Sequence, residues 1–184
     1  APIKRANVSF GQGVSVTALQ VAVAYGAIAN GGKLMQPYFI RRIEDGEGKV
    51  VQEYHPSVVR QVISKQTADL LAECLQEVVE KGSGKPAQLE GYTVAGKTGS
   101  AQKVIEGWRG YAPGRFVASF VGFAPVSEPR IVCIVVVDEP KGSHWGATCA
   151  APAFREIVQG TLWCMKVPPD RPVDLQQTAL GMQR

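Results

Sequence analysis

The sequence predicts an α/β chain of the α+β type, a central antiparallel sheet flanked by helices. Two apolar runs, Phe116 to Pro125 and Ile131 to Asp138, have strand length and fall far short of the roughly 20 residues a membrane helix needs. The five residues joining them, Val126 to Arg130, are few enough to close an antiparallel hairpin. Around these runs lie stretches whose alanine content or 3.6-residue periodicity belongs to helices.

In chain order, Thr17 is placed to cap a helix over Ala18 to Asn30, and Asn30-Gly31-Gly32 is placed to end it. Residues 34 to 54 alternate and carry "EDGEGK", the pattern of a surface hairpin. From Ser64 to Lys81 the apolar positions 68, 71, 75, 78 and 79 form a stripe, with Asp69, Glu73, Glu77 and Glu80 on other faces, so an amphipathic helix is expected. Gly82 to Pro86 would stop it. Thr93 to Gln102 reads as a strand. The 116–125 and 131–138 runs are apolar at successive positions, which predicts that both faces of these strands are covered and that they lie centrally, between helices. Pro152 to Cys164 reads as a closing helix with proline in its first turn. Three prolines after Val167 suggest that 167–184 is an extended tail.

With 184 residues, 45% hydrophobic and 20% charged, the chain is expected to form part or all of one globular domain. A net charge of +4, scattered along the chain, gives no reason to expect nucleic acid as a partner. The four cysteines, at 74, 133, 149 and 164, form no Cys-x-x-Cys, and no His pair stands at ligand spacing; no metal and no cofactor are expected. The opening Ala1-Pro2 has no secretion-signal pattern, and the start reads as a cut.

Chemistry concentrates in "AGKTGSAQ", residues 95–102. Strand alternation sets Thr98 and Ser100 on one side and Lys97 on the other. Gly99, between the two hydroxyls, lets a substrate backbone lie close and pair with the strand. The Lys97 ammonium supplies positive potential for an anionic ligand or intermediate. A polar edge strand guarded by lysine and threonine would show the same residues with no ligand.

Five stretches in order decide between these readings: "SFGQGVSVTALQVAVAYGAIANGG" at 9–32, "GYTVAGKTGSAQK" at 91–103, "FVGFAPV" at 120–126, "VVVDEP" at 135–140 and "AAPAF" at 150–154. Through them the chain resembles the C-terminal half of the transpeptidase domain of class B penicillin-binding proteins, most like the cell-division type of Gram-negative bacteria. The resemblance implies a partial serine β-lactamase/penicillin-binding-protein fold over 1–184. It also implies peptidoglycan cross-linking by acyl transfer, with the D-Ala-D-Ala end of a stem peptide as donor and β-lactams as mimics of it. By the same resemblance, Thr98 and Ser100 hold the donor's terminal carboxylate and Gly99 allows its approach. Lys97 braces a serine of the second motif, and the backbone N–H of Ser100 supplies half an oxyanion hole. The family's threonine is Ser100 here, which keeps the hydroxyl and loses a methyl that restricts its rotamer. The family's proline is Ala18 here, and its "YGG" region reads "HWGAT" at 144–148; His144 and Trp145 are candidates only for a rim contact. The parent protein is expected to be held at the periplasmic face of the inner membrane by an N-terminal helix and to meet cell-division proteins.

Such an enzyme needs a nucleophilic serine with a nearby lysine. The chain's one Ser-x-x-Lys is Ser100-Ala101-Gln102-Lys103. On a strand, residues three apart face oppositely, so this pair is rejected. Ser9, Ser57 and Ser64 lack a lysine at that offset, and Ser-x-Asn occurs nowhere. The chain is therefore expected to contribute the strand that faces the serine, to be inactive by itself, and to bind the missing N-terminal half of its domain. A binding module that kept the strand without chemistry, and a hydrolase using Ser100, are the competing readings.

Overall fold

The computed structural model describes residues 8, 11, 13–105, 107 and 110–172. Helix α1, Ala18–Ala29, opens on a capping box: the Thr17 hydroxyl accepts from the Gln20 amide, and the Gln20 side chain accepts from the Thr17 amide at 2.9 Å. It closes where the Gly32 amide donates to Ala27 O. Gly32 has φ +86°, and a Cβ there would lie 2.1 Å from the carbonyl oxygen of Ile63, so only glycine fits this turn.

The expected 34–54 hairpin is two separate ladders. Strands β2, Arg42–Glu44, and β3, Val50–Glu53, pair across a turn in which Asp45 Oδ1 accepts from the amides of Glu47 and Lys49. Strand β1, Lys33–Met35, instead pairs with β4, Val58–Gln61. Ser64 caps α2, Lys65–Glu80, by accepting from the Thr67 amide. Its stripe buries Ala68 and Val79, while Leu70 and Leu71 stay exposed. A short 3-10 turn, Lys85–Ala87, follows.

The main sheet has the order β5-β6-β7, from β5, Ala95–Val104, β6, Tyr111–Ala124, and β7, Ile131–Asp138, all antiparallel. Among the described residues β6 is central as expected, while β7 has β6 as its one partner and Val136 is 47% exposed. Its valines are half-covered because only part of each face receives a helix.

On one face, Phe120 of β6 meets Phe154 of α4, Ala151–Cys164, edge to face with centroids 4.7 Å apart. Val79, Val158 and Leu162 complete this fully buried centre. On the other face α1 packs against β6 and β7. There Val14, Val16, Val21, Val117, Val121 and Ile134 line a groove of about 590 Å³.

The chain beyond α4 is anchored as far as it is described. Val167 is buried, and its carbonyl accepts from the Tyr92 hydroxyl. Asp170 receives the Thr93 amide and hydroxyl and the Ser127 hydroxyl. Burial alone would raise the Asp170 pKa; the bonds from Thr93 and Ser127 outweigh it and hold the carboxyl below its usual value. Residues 173–184 of the expected tail lie outside the described residues.

Candidate functional site

Strand β5 puts the sequence-predicted residues together. Among the described residues it pairs with β6 alone, in the register Lys97 to Val121, Thr98 to Phe120, Gly99 to Ser119 and Ser100 to Ala118. Helix α2 packs against it. The Lys97 ammonium donates to the carbonyl of Thr98 at 3.0 Å and lies 3.5 Å from Thr98 Oγ1. That carbonyl therefore points away from β6, and alternation turns the N–H of Ser100 to the same free edge.

Each hydroxyl has a partner from a distant part of the chain. Thr98 Oγ1 lies 2.9 Å from the hydroxyl of Ser83, which sits in the turn after α2. Ser100 Oγ accepts from the amide of Gly146, at 3.0 Å, where the short helix α3, Gly146–Cys149, begins. Of the two glycines at this seam, Gly146 is a steric requirement: a Cβ there would lie 2.2 Å from Ser119 O and 2.5 Å from Gly99 O, both backbone atoms, whereas one on Gly99 would meet only the rotatable Ser119 hydroxyl, at 2.4 Å. Neither Ser83 nor Gly146 stood out in the sequence. The only signals were Ser83's place between two glycines and Gly146's place in the variant "HWGAT" stretch.

The rim is aromatic. His144 stacks on Phe116 with centroids 4.2 Å apart and leans on Trp145 at 4.5 Å, and Trp145 is 60% exposed. At the far end of β5, the Lys103 ammonium reaches Asp138 and Glu139, and Arg115 reaches the other oxygen of Glu139. The bonds that Lys103 donates to Asp138 and Glu139 raise its pKa, and those from Lys103 and Arg115 lower that of Glu139. With its charge so engaged, and on the opposite strand face, Lys103 is no base for Ser100. The cysteines are free thiols, Cys133 and Cys149 partly buried and Cys74 and Cys164 exposed. Burial pushes the Cys133 thiol up. Ser9 lies outside the described residues.

An open strand edge, an outward N–H, two hydroxyls and an ammonium are groups that can pair with an extended backbone and bind an anion. No lysine-activated serine stands among the described residues.

The family model for the penicillin binding protein transpeptidase domain matches residues 2–159. Stage V sporulation protein D of Bacillus subtilis is 42% identical over 163 residues, covering 88% of this chain and 25% of that protein. Penicillin-binding protein PbpB of Mycolicibacterium smegmatis is 36% identical, covering 94% of this chain and 28% of its own length. The chain thus spans about a quarter of the length of these two curated relatives. Among solved structures, the transpeptidase domain of penicillin-binding protein 3 from Burkholderia pseudomallei superposes with TM-score 0.77 at 41% identity, covering 94% of this chain and 49% of that one. Penicillin-binding protein 3 of Mycobacterium tuberculosis in complex with ampicillin gives TM-score 0.81 at 34% identity, covering 92% of this chain and 39% of that one.

Proposed function

The chain belongs to the penicillin binding protein transpeptidase family, and from that premise we propose that it forms the substrate-carboxylate side of a peptidoglycan D,D-transpeptidase whose serine lies outside residues 1–184. The observation that carries this reading is the open edge of β5, with Lys97, Thr98 and Ser100 beside it. The donor stem peptide lies along that edge as an added strand, with its terminal carboxylate between Thr98 and Ser100 and its backbone close over Gly99.

The serine oxygen gives its proton to a base outside residues 1–184 and bonds to the penultimate D-alanine carbonyl carbon, and negative charge develops on the carbonyl oxygen. The Ser100 N–H donates to that oxygen, while the Lys97 ammonium steadies the charge and the neighbouring serine of the second motif. The C–N bond to the last D-alanine breaks as that amine takes the proton removed from the serine. The amine of a neighbouring stem peptide then bonds to the acyl carbon, the serine ester C–O bond breaks, and the proton that the amine loses returns to the serine oxygen. A β-lactam enters the same cradle through its own carboxylate, in keeping with the ampicillin complex of the mycobacterial protein.

In this reading 1–184 is the C-terminal portion of one transpeptidase domain, is inactive alone, and docks on the other portion. The parent acts in cell division at the periplasmic face of the inner membrane, held by a helix outside this chain; among the described residues no helix is long and apolar enough to cross a membrane. A labelled penicillin tests the assignment on the full-length protein. Lys97→Ala should lower the acylation rate by about a hundredfold or more, on the scale of a lost charge-stabilising donor. Glu77→Ala should leave it unchanged, since Glu77 is exposed and its ion pair is with Lys81 of its own helix. Equal effects of the two substitutions would reject the site, and no adduct at all would favour a binding module.

A further inference from the structure

Thr98 has one hydroxyl proton, and a bound carboxylate needs it. The oxygen of that hydroxyl has two neighbours: the Lys97 ammonium at 3.5 Å, which can only donate, and the Ser83 hydroxyl at 2.9 Å, which can donate or accept. If Ser83 accepts, the Thr98 proton is spent within the protein; if Ser83 donates, that proton is free to reach the ligand. An anion beside Thr98 favours the second arrangement, because the chain Ser83 O–H to Thr98 O–H to carboxylate then runs in one direction and each bond polarises the next.

The fold places Ser83 for this task. The amides of Gly82 and Gly84 both donate to Val78 O, at 3.1 and 2.9 Å, which folds the turn tightly back on the end of α2. A Cβ on Gly82 would lie 2.9 Å from that oxygen, and one on Gly84 would lie 3.0 Å from it. The Lys85–Ala87 turn follows at once and buries Ala87. Ser83 is thus held at the crest of a fixed turn, itself exposed, with its hydroxyl directed at Thr98.

We propose that Ser83 is a positioning residue for the transpeptidase reaction: by donating to Thr98 Oγ1 it turns the Thr98 proton toward the substrate carboxylate. The proposal rests on the reading of β5 as the carboxylate cradle. Ser83 touches no reacting atom, and its effect scales with the negative charge on the ligand.

The test uses the full-length protein, a penicillin carrying its free carboxylate, and the methyl ester of the same penicillin. Ser83→Ala should lower the second-order acylation rate of the free acid by about three- to tenfold, the range of one hydrogen bond, and leave that of the ester within about twofold of the parent. Ser83→Thr, which restores the hydroxyl, should recover the free-acid rate. In a Thr98→Val background, Ser83→Ala should have no further effect. Equal losses for acid and ester, no loss for either, failure of Ser83→Thr to rescue, or additive losses in the double variant would each overturn the proposal. Those outcomes leave the transpeptidase reading standing so long as the parent protein is acylated. A parent that neither penicillin acylates would refute that reading and this inference together.

Discussion

Gly146→Ala is expected to open the seam between α3 and β5. The added Cβ would sit 2.2 Å from Ser119 O and 2.5 Å from Gly99 O, against a closest real approach of 3.0 Å, a shortfall of about 0.8 Å at the nearer atom. Both oxygens belong to the paired backbones of β6 and β5 and cannot rotate aside, so the 143–149 segment must withdraw. A retreat of that size stretches the 3.0 Å bond from Gly146 N to Ser100 Oγ beyond useful hydrogen-bonding distance. Losing the bond costs about 1 kcal/mol and the overpacking a further 1–3 kcal/mol, for a total of roughly 2–4 kcal/mol. At about 2–4 °C per kcal/mol for a chain of this size, Tm should fall by roughly 4–16 °C. Gly160→Ala is the matched control. It lies inside α4 with nothing within 4 Å of its added Cβ, so alanine should stabilise by about 0.5–1 kcal/mol through backbone entropy. Thermal and denaturant unfolding read both. Equal shifts for the two substitutions, or a neutral Gly146→Ala, would refute the close approach of α3 to β5.

Phe154→Ala removes a fully buried ring from its edge-on contact with Phe120 and should cost about 3–5 kcal/mol in denaturant unfolding; a loss under about 1 kcal/mol would show that the ring is not central to the core. Asp170 is held below its unfolded pKa by Thr93 and Ser127, so its contribution should be fully present above about pH 4 and lost as pH falls through the lower folded value. Asp170→Asn should therefore flatten the acid limb of stability against pH; an unchanged limb would refute the clasp.

Much of this fold is written in short-range patterns. Thr17 and Gln20 specify the start of α1, Ser64 specifies that of α2, and the run from Phe116 to Asp138 specifies the β6–β7 hairpin, because caps and apolar runs act within a few residues of themselves. What was hidden depends on long-range closure. Lys33–Met35 pairs with Val58–Gln61 around the β2–β3 hairpin, and these short, largely exposed strands carry no periodicity that names a partner. Strand β6 begins at Tyr111, not Phe116, since polar and glycine-containing residues there continue pairing with β5 across an irregular register. The site divides the same way. Alternation shows Lys97, Thr98, Gly99 and Ser100 only as a polar strand; the resemblance carried by the five ordered stretches marks them as a candidate site. Ser83 and Gly146, which hold the two hydroxyls, sit 15 and 46 residues from their partners, where only tertiary structure brings them near.

If β5 offers its cradle to a serine supplied from elsewhere, peptide mass spectrometry of the penicillin adduct on the full-length protein should find one acylated serine outside residues 1–184, its yield collapsing with Lys97→Ala. An adduct on Ser100, or full labelling of the Lys97→Ala protein at the parent rate, would show that β5 does not play this part.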